Sequence, residues 1–384
     1  MRSLLVLRLA WFALLIAAPQ PASAQASRID AAVRDGIRRG TFPGAVVVVG
    51  RADTILYARG YGRFAWSGNS SVPDPSRTLW DIASLSKVVG TASAAAVLAG
   101  EGRLTLDAPV AAFLPEFTGG GKDNVTVRML LDHTSGLPAW AKLNGPGITP
   151  DEAVRRLLAV PLARAPGATA EYSDLNAILA GMVLERAAGT TLDRLTRERV
   201  FAPLGMTSTA WRPAPTDRTR IVPSARLADG TQLVGIVNDE NARALGGVAG
   251  HAGLFSTGLD LARFAQAWLR GTRRGDAPWA SATTLAAFLE RRPTTGTRAL
   301  GWDTPRTPDD GKPSLYGACA TSTTVGHTGW TGTALWLDPQ ADLFVVLLTN
   351  RSYAPRRGSR SFDEIRLVRA AVSDAARRIV GGGC

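Results

Sequence analysis

A serine and a lysine with complementary chemistry stand three positions apart in Ser84-Leu85-Ser86-Lys87. Residues three apart on a helix share a face, so the Ser84 hydroxyl and the Lys87 amine can meet in one pocket. A serine hydroxyl alone is a weak nucleophile and needs a neighbouring base. Because this spacing also arises by chance, an exposed serine beside a solvated lysine is the alternative interpretation. The motif predicts nucleophilic chemistry if other segments support it.

The residues around this pair indicate a buried helix. Apolar side chains flank Ser84, and small residues continue through 91–100. A lysine acts as a base only when burial or a nearby positive charge lowers its pKa, which such a setting can provide. The free N–H groups at the start of the helix can hold a developing oxyanion.

The order of elements that must position this pair is sheet, helices, sheet. The terminal segments predict helices at 27–39 and from Ser361, with strands at 45–49, 55–61, 323–328, 333–337 and 343–348. The middle predicts mostly helices, including 125–133, 149–160, 175–188 and 192–199. After a loop-rich stretch, we expect segment 254–271 to contain another helix and 284–291 to form one more. The predicted fold class is α/β (α+β): an antiparallel sheet built from both chain ends, flanked by helices, with a mostly helical insertion.

This order also predicts a domain division. Residues 25–90 and 245–384 would form an α/β sheet domain, and residues 91–244 a mainly helical domain. A pocket usually lies where two such parts meet, so we expect the active site between them, at Ser84.

Residues 1–24 have the pattern of a cleaved signal peptide, with Arg2, an apolar stretch and Ala22-Ser23-Ala24 before Gln25. We therefore expect an exported protein, in the periplasm, with no membrane span after cleavage at Ala24. The formal net charge is +12, and almost all of the positive charge comes from arginine. Because the sequence has no basic stripe interleaved with aromatic residues, we expect no nucleic-acid partner. The sequence leaves open whether Cys319 and Cys384 are bridged.

Two further segments support the serine–lysine pair. Tyr172-Ser173-Asp174 begins a predicted helix, and His327-Thr328-Gly329 ends a predicted strand. Alone, the first is also typical of a core tyrosine and the second of a hairpin turn. In this order with Ser84 and Lys87, they resemble the three motifs of the serine β-lactamase and penicillin-binding-protein superfamily.

The chain is most similar to the class C β-lactamase-related branch, which includes esterases and D-amino-acid peptidases. Segments 125–138, 203–206 and 246–257 also resemble that branch, so the similarity covers most of the mature chain. It implies a β-lactamase/transpeptidase-like fold in which Ser84 attacks an acyl carbonyl and forms an acyl-enzyme. Lys87 and Tyr172 would share the proton, and water would release the acyl group without a metal or organic cofactor.

The resemblance also implies roles for the third motif. The backbone N–H groups of Ser84 and Trp330 would form the oxyanion hole. Thr328 and Gly329 would line the edge strand on which the substrate lies. The implied partner is a small-molecule or peptide acyl substrate, with cell-wall peptidoglycan as a candidate.

Two positions depart from the family pattern. His327 stands where penicillin-recognising members usually have lysine, which weakens carboxylate recognition unless an arginine compensates. Asp174 stands where the family often has asparagine, and an inward carboxylate would keep Lys87 charged. Asn176 is a candidate to take over the role of that amide.

Several functions remain open from the sequence. The leading hypothesis is a serine hydrolase of esters, β-lactams or D-amino-acid peptides. The alternatives are a D-alanyl-D-alanine carboxypeptidase and a non-catalytic penicillin-binding-like envelope module. The histidines, His133, His251 and His327, lack metal-ligand spacing, so we expect no metal, with His133 and His251 as structural hydrogen bonders.

Overall fold

Strands from the two ends of the chain meet in one sheet in the computed structural model, which describes residues 22–275, 279–292, 295–305, 314–356, 358 and 360–381. The strands are β1 (Gly44–Gly50), β2 (Ile55–Gly62), β3 (Trp80–Asp81), β4 (Ala225–Arg226), β5 (Gln232–Leu233), β6 (Phe255–Ser256), β7 (Val325–Thr328), β8 (Ala334–Asp338) and β9 (Leu343–Thr349). The main sheet is five-stranded and antiparallel in the order β2-β1-β9-β8-β7. The strand β7 is therefore at its edge.

Helices enclose the sheet and form the middle of the chain. They are α1 (Ala22–Arg38), α2 (Ser93–Gly100), α3 (Val127–Leu131), α4 (Pro150–Ala159), α5 (Asp174–Ala188), α6 (Leu192–Thr196), α7 (Glu240–Ala244), α8 (Gly258–Arg274), α9 (Ala282–Leu289) and α10 (Arg360–Ile379). Several of these helices begin directly after a capping residue, whose side chain accepts hydrogen bonds from the first free backbone N–H groups. Thr149 accepts from Glu152 N–H, and Ser173 from Asn176 N–H.

The valine-rich strand β1 is buried along its whole length because both faces of the sheet are covered. Alternate residues of a strand point to opposite faces. Val47 and Val49 pack in a cluster with Ile29 of α1 and Ile365 of α10. Val46 joins the larger cluster on the other face, which includes residues of α8 and of the helical middle.

The predicted fold class is confirmed, including the sheet from both chain ends and the helices between. The division into domains 25–90 plus 245–384 and 91–244 stays a prediction, and the larger apolar cluster draws on both parts. The predicted signal peptide lies mostly outside the described residues, and its cleavage site falls in the first turn of α1.

The segment 254–271 contains a helix, as expected, and also a short strand before that helix. Phe255 and Ser256 form β6, which pairs with β3, and the helix begins only at Gly258, where Thr257 accepts from Asp260 N–H. The local apolar pattern did not reveal this because the strand is set by pairing with Trp80 and Asp81, far away in sequence.

By length and composition, one helical segment of the described residues could cross a membrane, so the expectation of no membrane span stays a prediction. Residues 83–100 form an 18-residue helical segment of mean hydropathy 1.3, of which 83% is buried within the protein. Such a segment is also typical of a core helix, and this one carries Ser84 and Lys87. Cys319 is disulfide-bonded, while Cys384 lies outside the described residues.

Candidate active site

Ser84 and Lys87 lie where a tight turn leads into the buried helical segment. Ala83–Leu85 forms a 3₁₀ turn, and Lys87–Ala92 forms a π-helical stretch before α2. Lys87 Nζ is 3.0 Å from Ser84 Oγ. Lys87 is only 2% exposed, whereas Ser84 is partly open to solvent. The arrangement offers a solvent-facing hydroxyl with a buried amine behind it.

Lys87 is held as an ammonium ion. Its Nζ donates to Ser84 Oγ, to Asp174 Oδ1 at 2.7 Å and to the His251 carbonyl at 3.1 Å, which uses all three N–H groups of the charged form. Burial lowers the pKa of Lys87, but the Asp174 carboxylate and the Tyr172 hydroxyl outweigh it and raise the pKa overall. The Asp174 carboxylate thus points inward and keeps Lys87 charged.

Tyr172 lies between cations and histidine rings. Lys87 Nζ is 5.0 Å from the centre of its ring, and Arg298 Cζ is 4.9 Å from it. The rings of His133 and His327 lie 5.0 Å and 5.7 Å away. Lys87 and Arg298 thus place two cations against the Tyr172 ring, close to the serine–lysine pair.

The third motif lies on the edge strand β7, close to the serine turn. His327 and Thr328 belong to β7, and Gly329 follows it. A Cβ atom on Gly329 would lie 2.7 Å from the Ile82 carbonyl and 3.2 Å from Ala83 Cβ, so only glycine permits this close approach to the turn that carries Ser84.

His327 is neutral. It is 3% exposed, and burial together with the charges of Lys87 and Arg298 lowers its pKa well below the usual value. Its Nδ1 is 2.9 Å from the Thr328 carbonyl, which fixes the hydrogen on that nitrogen. His327 does not provide the positive charge that a lysine would provide at this position.

The loop after β7 is braced from behind by two buried arginines. Arg351 donates to the Trp330 carbonyl, and Arg369 of α10 donates to the Gly329 and Thr333 carbonyls at 2.9 and 2.8 Å. Burial lowers the pKa of Arg351 to about 10 and that of Arg369 to about 9. Trp330 is 59% exposed, and its ring lies against Phe362 and the Arg351 guanidinium.

A buried carboxylate supports the backbone before Ser84. Ala83 has a φ of +49°, which is strained for a residue with a Cβ atom. Asp81 accepts from Ala83 N–H at 2.9 Å and from Asn238 N–H at 2.6 Å. Burial, opposed by these hydrogen bonds, raises the pKa of Asp81 to about 6. No sequence motif indicated Asp81, although an acidic residue within an apolar run was a usable signal.

Asn176 does not take the role of the family's amide. It is fully buried, accepts from Ser135 Oγ and lies 3.4 Å from His133 Nδ1, so it braces the segment before Tyr172 instead of contacting Lys87. The reason is helical geometry, because two positions along α5 turn a side chain away from Asp174.

The other two histidines are structural hydrogen bonders, as expected. His133 Nδ1 accepts from Ser173 N–H at 3.2 Å, and His251 Nε2 is 2.8 Å from Asp239 Oδ1. Through its carbonyl, His251 also holds Lys87. Within the described ranges, no group of three potential metal ligands occurs.

Comparisons with known proteins agree with this geometry. The family model described as Beta-lactamase matches residues 29–370. The chain is 31% identical over 362 residues to N-acetylmuramyl-L-alanine amidase of Bacillus subtilis strain 168, covering 85% of this chain and 81% of that protein. It is 29% identical over 350 residues to an Escherichia coli K12 protein that carries the provisional name D-alanyl-D-alanine carboxypeptidase, covering 82% and 80%.

A solved class C β-lactamase has the same fold. It superposes with a TM-score of 0.73 at 22% identity, covering 92% of this chain and 96% of that one. The matched family, the shared fold and the site that unites Ser84, Lys87 and Tyr172 lead to one conclusion. The chain belongs to the β-lactamase family and is a serine hydrolase of that family.

Proposed function

We propose that this protein is an exported hydrolase that cleaves acyl bonds through an acyl-enzyme on Ser84, with esters, β-lactams or D-amino-acid peptides as substrates. The observation that carries the proposal is the 3.0 Å contact between Lys87 Nζ and a partly exposed Ser84 Oγ beside Tyr172. A nucleophile with an activating group in hydrogen-bond reach is the arrangement that covalent catalysis needs.

The charge state of Lys87 determines which residue transfers protons during the reaction. Because all three of its N–H groups are donated, Lys87 acts by its charge, and Tyr172 takes the proton of Ser84. The Ser84 oxygen then forms a bond to the acyl carbon, and the protonated Tyr172 gives the proton to the leaving group as the old acyl bond breaks. Water attacks the acyl-enzyme in the second half of the reaction, again with Tyr172 as the base.

The oxyanion would be held by the backbone N–H groups of Ser84 and Trp330. Support for this assignment comes from the buried Arg351 and Arg369, which hold the carbonyls of the loop 329–333 and so fix the peptide planes there. Each preorganised donor of this kind is worth roughly 3 kcal/mol in the transition state.

A D-alanyl-D-alanine carboxypeptidase is the second candidate. The provisional name of the Escherichia coli relative favours it, and the amidase name of the Bacillus relative points to amide bonds of the cell wall. A non-catalytic envelope module is the rival from another class. The contact between Ser84 and Lys87 argues against it, because a pure binding site has no need for an activated hydroxyl.

Labelling with a fluorophosphonate probe tests the nucleophile. The wild type should be labelled on Ser84, and Ser84→Ala should abolish labelling, while the exposed Ser76→Ala serves as the control. We expect Lys87→Ala and Tyr172→Phe each to lower turnover of a nitrophenyl ester at least about a hundredfold. Equal labelling of Ser84→Ala would refute the nucleophile, and near-normal rates in the other two would refute the proton route.

Export rests on the sequence of residues 1–24, and the disulfide-bonded Cys319 supports it, since disulfides persist in oxidising compartments. N-terminal sequencing of the protein from a periplasmic fraction should begin at Gln25. Recovery in the cytoplasm with Met1 retained would contradict this proposal.

A further inference from the structure

Lys87 is held by a residue whose side chain faces a second carboxylate. The His251 carbonyl accepts from Lys87 Nζ at 3.1 Å, and the buried His251 ring has its Nε2 2.8 Å from Asp239 Oδ1. Next to His251, the Gly250 carbonyl accepts from Thr91 Oγ1 at 2.7 Å. The backbone that contacts Lys87 is thus tied to the buried helical segment on one side and, through the ring, to Asp239 on the other.

Asp239 is ionised and firmly placed. Burial opposes its ionisation, but the hydrogen bond from His251 and the charge of Lys87 outweigh burial and lower the pKa of Asp239 well below its usual range. An ionised carboxylate only accepts hydrogen bonds, so His251 Nε2 carries the hydrogen between the two residues. Asp239 Oδ1 also accepts from Ala242 N–H at 2.8 Å, as the cap of α7. Asp239 is therefore fixed at the start of that helix and fixes the His251 ring in turn.

The residue before Asp239 holds the turn of the nucleophile. Asn238 N–H donates to Asp81 Oδ2 at 2.6 Å, and Asp81 Oδ1 accepts from Ala83 N–H at 2.9 Å. Arg243 of α7 donates to the Asn238 carbonyl at 2.7 Å, which anchors this backbone to the same helix. Two consecutive residues, Asn238 and Asp239, thus hold the turn of the nucleophile and the lysine from one place in the fold.

We propose, on the basis of the function proposed above, that Asp239 and His251 are positioning residues, which keep the Lys87 ammonium at hydrogen-bond distance from Ser84 Oγ. Both side chains act through the backbone, since the His251 carbonyl is the group that meets Lys87. Three acceptors fix the ammonium in space, and a carbonyl that is no longer held lets Nζ move away from the hydroxyl. A misplacement of about 1 Å in a catalytic site costs about a hundredfold in rate.

Two variants break the contact between ring and carboxylate from opposite sides. His251→Leu removes the ring donor, whereas Asp239→Ser keeps a capping oxygen for α7 on a side chain too short to reach His251. The readout is the rate of acylation by a neutral nitrophenyl ester, divided by the number of Ser84 sites that a fluorophosphonate labels at completion, so unfolded protein is not counted. Each variant should lower this rate about 10- to 100-fold. The ester concentration that gives half the maximal rate should change less than about twofold, since the pair acts through Lys87 and not on the ester.

The double variant tests whether the two residues act as one unit. It should acylate no more slowly than the slower single variant, because either change already frees the carbonyl. His251→Gln, whose amide can still donate to Asp239, should recover most of the rate. Losses that multiply in the double variant, or an equal loss in His251→Gln and His251→Leu, overturn the inference.

Asp260→Asn is the matched control. Asp260 is also a buried aspartate that accepts from a backbone N–H group, that of Ser208 at 2.8 Å, but it lies on α8. This variant should acylate at the wild-type rate per labelled site, even where urea unfolding shows a lower stability. An equal fall in Asp260→Asn, or wild-type rates in both His251→Leu and Asp239→Ser, overturns the inference.

The labelling itself covers the remaining outcomes. If neither His251→Leu nor Asp239→Ser retains labelled sites, the pair serves folding alone, which also overturns the inference. The proposed function fails separately, if wild-type Ser84 is neither labelled nor acylated, and the inference then falls with it.

Discussion

Replacing Asp174 with asparagine removes the charge that holds Lys87 protonated and changes little else. The amide oxygen of Asp174→Asn can still accept the Lys87 hydrogen bond, now 2.7 Å long. Unit charges at this separation attract by about 6 kcal/mol at an effective dielectric constant of 20. Burial of Lys87 opposes that attraction, so removal of the carboxylate charge should lower the pKa of Lys87.

The fall in the Lys87 pKa has a kinetic consequence with a defined sign. With a lower pKa, Lys87 becomes neutral at lower pH and can accept the Ser84 proton itself. The ascending limb of the pH–rate profile should therefore move toward lower pH. On that limb the rate of acylation should rise about tenfold for each unit.

The assay is the acylation rate with a neutral nitrophenyl ester across the pH range. Glu171→Gln is the control, because Glu171 is close in sequence but pairs with Arg164. An ascending limb that stays in place in Asp174→Asn, or moves to higher pH, would refute the role assigned to Asp174. A shift of equal size in Glu171→Gln would mean that any nearby carboxylate acts alike.

Two further predictions concern the backbone that presents Ser84. Burial raises the pKa of Asp81 from 3.8 to about 6. Between these pH values, Asp81 is protonated in the folded protein but ionised in the unfolded chain. As pH rises through that window, Asp81 should therefore lower the free energy of unfolding by about 3 kcal/mol. Urea unfolding of Asp81→Asn should lack this dependence on pH, and an identical dependence would contradict the raised pKa. In Gly329→Ala the added methyl group would lie 2.2 Å from Thr333 Oγ1 and 2.7 Å from the Ile82 carbonyl, so acylation should slow at least tenfold. Gly68→Ala, which meets nothing within 4 Å, should acylate normally, and normal acylation by Gly329→Ala would count against the close approach.

The sequence predicted the fold well where local patterns set the structure. The alternating and β-branched residues of β1, β8 and β9 indicated strands, and the capping residue Thr149 indicated the start of α4. The short strand β6 before α8 was not predicted, because it depends on pairing with a distant segment. Local patterns do not record such pairing.

By itself, the sequence determined the order of the elements and the residue types that can carry acyl chemistry, because periodicity, capping and motif spacing act over a few residues. Only the tertiary structure decided the charge states in the site. Asp174 is 87 positions from Lys87 in the chain, yet its carboxylate sets the pKa of that amine. Arg298, which no motif indicated, lies on Tyr172. Electrostatic energy depends on distance in space and on burial, and both are fixed only when the chain has folded.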